Sequence, residues 1–95
     1  MNHEIAKLID EAKRWLAVQR PQIAESPEWY TFGNFRSFIS SLESDHSEQS
    51  ITRAVHSLRH HITDQYEWSA EYCKTISQFC DHADKIGKEM LRANE

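Results

Sequence analysis

Glycine and proline are scarce in this chain, with two of each, and from Asn34 to Ile86 neither occurs. Strands that reverse direction need turn residues every few positions, so a stretch this long without the two best turn formers excludes a protein built on hairpins. Cysteine is nearly as rare. Cys73 and Cys80 are the only two, and seven residues along a helix would hold their Cα atoms ~10 Å apart, beyond the ~7 Å limit for a disulfide. They read as small buried hydrophobes. No apolar run approaches the roughly 20 residues that span a bilayer. The N-terminus, MNHEIAKLIDEAKRW, mixes acids into its apolar residues, which does not fit a secretory signal. Basic residues never cluster beyond Lys13-Arg14, and the net charge is -4 with a pI near 5.8. Sequence-independent attraction to nucleic acid depends on clustered Lys and Arg, so that class is disfavoured. A glycine-rich phosphate loop, a Gly-x-Ser-x-Gly elbow and a Cys-x-x-Cys pair are all missing, and no cofactor is implied. These absences leave one domain, residues 1–95, expected to be a cytoplasmic protein without catalysis.

What is present is helical periodicity. With 39% hydrophobic and 27% charged residues the chain has an ordinary globular balance. Ile5, Leu8, Ile9, Ala12, Trp15 and Leu16 follow the spacing of one apolar helix face. That first helix is expected from about Asn2 to about Arg20, before Pro21. Ser26-Pro27-Glu28 is a strong second start: a serine cap, a proline at the first helical position and an acid at the positive end of the dipole. Phe32, Phe35, Phe38, Ile39 and Leu42 then form its core stripe, with Trp29 and Tyr30 outside it. Gly33, inside this helix, predicts a kink or a close backbone contact.

Asp45 and Glu48 have the spacing of a capping box with aspartate as the cap, predicting the start of a third helix. Its apolar face is Ile51, Ala54, Val55, Leu58 and Ile62, and Arg53, His56 and His60 lie opposite. Thr63-Asp64 is unfavourable helix interior, and Ser69 followed by Glu71 resembles another cap, so a break is expected near residues 63–68. The competing reading is one helix of ~45 residues, ~68 Å long, that would pair with a second copy. The last helix should run from about Ala70 to Arg92 with a wide stripe of Tyr72, Cys73, Ile76, Phe79, Cys80, Ala83, Ile86, Met90 and Leu91. Outside it, Asp81 with Lys85 and Asp84 with Lys88 have i,i+4 spacing. Four amphipathic helices with short links predict an all-α, up-down four-helix bundle.

Six histidines are many for this length. His56 and His60 are one turn apart, the spacing that lets two imidazoles reach one metal, with His61 and Asp64 nearby. A metal centre needs at least three well-placed ligands, and no second His-x-x-x-His or Glu-x-x-His pair exists, so solvated histidines are expected and no metal. The stretch RAVHSLRH, Arg53 to His60, resembles the Arg-x-x-x-x-x-x-His spacing of HEPN-type ribonucleases, which are helical bundles. The resemblance covers two residues and departs from that family's pattern at Ala54, where a polar residue is usual. It implies phosphate stabilisation by Arg53 and proton transfer by His60, with the pair duplicated across a dimer.

The aromatics say most about a working surface. Half of them lie between Trp29 and Phe38, and Trp29 and Tyr30 are types enriched where interfaces concentrate their binding energy. Tyr66 and Trp68 fall in the third link, at the same end of an up-down bundle. The expected role is therefore protein binding, as an inhibitor, immunity factor or adaptor, including phage-encoded blockers of host systems. Trp29, Tyr30, Tyr66 and Trp68 would make the contact, and Glu28, Glu43, Asp45 and Glu48 would steer a partner with a basic surface. A homodimer is compatible with the same stripe.

Overall fold

A computed structural model describes residues 3–63 and 70–93, and these form four helices with no strand among them: α1 (His3–Ala17), α2 (Pro27–Ser44), α3 (Glu48–Thr63) and α4 (Glu71–Ala93). Each helix packs on its sequence neighbours, and α1 also closes on α4. Cross-helix pairs fix the directions. Trp15 near the end of α1 stacks on Phe32 near the start of α2, Thr31 meets His61, and the Cys80 thiol donates to the Val55 carbonyl. These pairings make an antiparallel up-down-up-down bundle, as the periodicity predicts. The single long helix is overturned, because α3 and α4 lie against each other instead of running on.

The core is the set of predicted stripes folded inward. Ile5, Leu8, Phe35, Leu42, Ile51, Ile76 and Cys80 have no exposed surface, and Phe32 is almost as deeply covered. Trp15 is the hub at one end, edge-on to Phe35 at 5.7 Å and tilted against Phe79 at 6.1 Å. Both cysteines are free and buried. Burial pushes the Cys80 thiol up to about 11, so it stays protonated at neutral pH.

Several boundaries differ from expectation for local reasons. α1 stops three residues early, because Gln19 folds its amide back onto the Trp15 carbonyl at 2.9 Å. The backbone there also tightens into i to i+3 bonds, ending the α-helical pattern. The connection then makes a tight turn, Ser26 N–H to the Ile23 carbonyl, with Glu25 left-handed at φ 66°. Ser26 caps α2 as predicted, its hydroxyl accepting from Trp29 N–H at 3.1 Å. The cap of α3 is Ser47, whose hydroxyl accepts from Ser50 N–H. Asp45 instead closes α2 by donating its N–H to the Ser41 carbonyl, and its carboxylate accepts from Ser47 N–H at 2.8 Å. Those bonds to Ser47 hold the Asp45 carboxyl below its usual range. Leu91, expected on the core stripe, is half exposed. Gly87 is buried in its place, where a Cβ would lie 3.2 Å from Ile51 Cγ2. Close contact therefore occurs at Gly87 and not at Gly33, where a Cβ would meet nothing within 4 Å.

Candidate functional site

The residues singled out from sequence fall into three places. Trp29 and Tyr30 stand in the first turn of α2, where the Ser26 cap and Pro27 fix the helix start. Both rings point away from the core stripe, 40% and 50% exposed, and they pack edge to face with centroids 4.9 Å apart. Val18 and Ile23, in the connection just before, are more exposed still. Four of the five large apolar residues left uncovered among the described residues therefore share one end of the bundle. Glu28 belongs to this end too. Tyr66 and Trp68 lie outside the described residues.

Below Trp29 and Tyr30 runs a shallow groove of about 380 Å³, lined by these two rings with Gly33, Asn34, Arg36 and Ser37. Its floor is open because Gly33 has no side chain. Arg36 reaches toward the Gln22 carboxamide oxygen at 3.4 Å, which places its guanidinium on the flank of the same groove.

Glu43, Asp45 and Glu48 are not brought to this surface. They lie at the other end of α2, ~22 Å from Glu28 along the axis at 1.5 Å per residue, and each has a local partner. Lys13 pairs with Glu43 at 2.7 Å, Asp45 holds the turn to Ser47, and Glu48 accepts from the Thr52 hydroxyl. The expected arrangement of aromatic contact and acidic steering is thus split between two ends.

The third place is the outer face of α3. Arg53, His56 and His60 are exposed there, as expected. Among the described residues no group of three or more His, Cys, Asp or Glu is arranged to hold a metal ion. His61 behaves differently. It turns toward α2, where its Nε2 is 3.2 Å from the Thr31 hydroxyl. Thr31 is fully buried, and its hydroxyl lies 3.0 Å from the Pro27 carbonyl as well; with its one proton on that carbonyl, it accepts from the Nε2–H tautomer of His61. This link was missed from sequence, although Thr31 falls within the α2 apolar stripe at ~100° per residue.

On the seam between α3 and α4, Arg59 bridges Asp81 at 2.8 Å and Asp84 at 3.2 Å. Lys88 also reaches Asp84, at 3.0 Å. Burial alone would raise the Asp84 carboxyl, but the Lys88 and Arg59 contacts together hold it below its usual range. Asp81 is therefore committed across the seam to Arg59, where i,i+4 spacing predicts Lys85. No helix among the described residues is long and apolar enough to cross a membrane. Compared with known protein families, curated proteins and solved structures, the chain matches none.

Proposed function

We propose that this chain works by binding another protein, as an inhibitor, immunity factor or adaptor, through the end of the bundle that carries Trp29 and Tyr30. The observation behind this reading is the uneven distribution of uncovered apolar surface. Phe32, Phe35 and Phe38 are buried, whereas the neighbouring Trp29 and Tyr30, with Val18 and Ile23, stay uncovered at one end. Large exposed apolar groups gathered in one place mark interaction surfaces, and Trp and Tyr are the residues that carry most energy in them. The net charge of -4 favours a partner with a basic surface, drawn in by the field of the whole molecule and not by acids beside the rings.

The test is capture from a lysate of the cells that make the protein, with the wild type and a Trp29→Ala/Tyr30→Ala variant compared side by side. The reading expects a protein held stoichiometrically by the wild type, lost with the variant, and associating more slowly as salt rises. Equal capture by a folded variant would move the binding site elsewhere.

A further inference from the structure

The groove beside Trp29 and Tyr30 has a symmetry that a foreign partner does not require. Four of its lining residues pair off around Gly33, with Asn34 unmatched: Trp29 and Ser37 lie four positions to either side, and Tyr30 and Arg36 three. At ~100° per residue, Trp29 and Arg36 fall on one flank of Gly33, and Tyr30 and Ser37 on the other. A two-fold axis lying across α2 at Gly33 reverses height along the helix but keeps the flank. It therefore sets Trp29 against Arg36 of a second copy, and Tyr30 against Ser37.

We infer that α2 is a self-association surface, on which two copies of this chain pack antiparallel with Gly33 facing Gly33 at the crossing. Three observations single out a second copy. First, the contacts are complementary: a guanidinium over an indole is a favourable cation–π pair, the two-fold makes it twice, and each ring pair meets a small serine. Secondly, the crossing point is open. A Cβ at Gly33 would touch nothing within 4 Å, so nothing in the chain's own fold fills the space that another backbone would take. Thirdly, the charge suits it. Two chains of net charge -4 repel, and the side of α2 around Gly33 carries no acid, only Arg36 on its flank.

The size of the patch can be set against what a stable dimer needs. Trp and Tyr bury ~150–250 Å² each, so at 40% and 50% exposure the four rings of a pair supply about 400 Å² of the ~1,200 Å² at the low end of specific interfaces. Gly33, Asn34, Arg36 and Ser37 line the groove around the rings, and a contact with so few large side chains at its centre is expected to be weak and concentration-dependent. This dimer rests on the geometry of α2 and not on the existence of a foreign partner. A partner held by the same rings would have to displace the second copy.

Sedimentation equilibrium of the pure chain from roughly 1 μM to 1 mM tests this apart from any capture experiment. The wild type is expected to pass from monomer to dimer in that range. Gly33→Leu should remain monomeric while keeping its helical circular dichroism, because its side chain meets only open space in the monomer. Trp29→Ala and Arg36→Ala should each weaken the dimer about tenfold or more, and the double variant by less than the product of the two. The register has its own readout: with oxidised glutathione, Gly33→Cys should form a disulfide between copies. Ser37→Cys should not, since its mate lies ~12 Å away along the axes. A wild type that stays monomeric throughout, a dimer indifferent to Gly33→Leu, or ready crosslinking through Ser37→Cys would each overturn the inference.

Discussion

The two glycines of this chain sit inside helices in opposite surroundings. At Gly87 a Cβ would come within 3.2 Å of Ile51 Cγ2, so the missing side chain is what lets α4 approach α3. At Gly33 the same missing side chain leaves open space. A glycine in an exposed helix interior costs ~1 kcal/mol relative to alanine. At Gly87 the fold itself accounts for that cost, through packing. At Gly33 nothing in the monomer does, and the rings of Trp29 and Tyr30 stand directly beside it. The difference separates a glycine that the chain's own packing explains from one that the proposed α2 contact would explain.

The comparison holds only if the interior end of the aromatic cluster is structural, and Phe35→Ala tests that. Phe35 is fully buried against Trp15, Phe38 and Phe79, and its loss should reduce stability by ~3–5 kcal/mol in urea unfolding. Gly87→Leu should cost ~1–3 kcal/mol, because the larger side chain is forced against Ile51. A neutral Gly87→Leu would remove the contrast between the glycines. Gly33→Ala should act in the other direction, raising the monomer's stability by up to ~1 kcal/mol at dilute concentration. Trp29→Ala should change monomer stability by about 1 kcal/mol or less, in contrast to Phe35→Ala.

Acid sharpens the contrast from the charged side of the molecule. Asp84 is held below its unfolded value by Lys88 and Arg59. Its contribution is therefore complete above the unfolded carboxyl pKa near ~3.9 and fades as pH falls through the lower folded value. Asp84→Asn should cost roughly 1 kcal/mol at pH 7. It should also flatten this part of the acid dependence, as read from urea midpoints between about pH 6 and pH 2. The α2 face around Gly33 should add no such dependence, since it carries no acid.

Much of the fold was legible in the sequence because apolar periodicity and caps are local signals. The stripes of Phe32, Phe35 and Phe38 or of Ile51, Val55 and Leu58 follow from 3.6-residue spacing, and Ser26-Pro27-Glu28 announces its own helix. Where two signals competed, the reading failed. Asp45 and Ser47 are both good caps two positions apart, and only the completed turn shows that Asp45 serves α2 and Ser47 serves α3. Glycine is ambiguous for the same reason: Gly33 and Gly87 look alike until their neighbours are in place, since those neighbours come from another helix. The candidate surface was half legible. Trp29 and Tyr30 fall off the core stripe by simple angle counting, but the position of Glu43, Asp45 and Glu48 at the far end depends on the length and direction of α2. Arg36 was missed although it lies seven residues, two helical turns, from Trp29 on the same flank, because a lone charged residue on a helix reads as solvated surface until the groove beside it is seen.

The most direct test of the α2 surface is to follow backbone amide NMR shifts of the labelled chain as its concentration rises from about 10 μM to about 1 mM. Concentration-dependent shifts confined to Trp29, Tyr30, Gly33, Arg36 and Ser37 are the predicted result. Shifts centred on Arg53, His56 and His60, or spectra unchanged over the whole range, would contradict it.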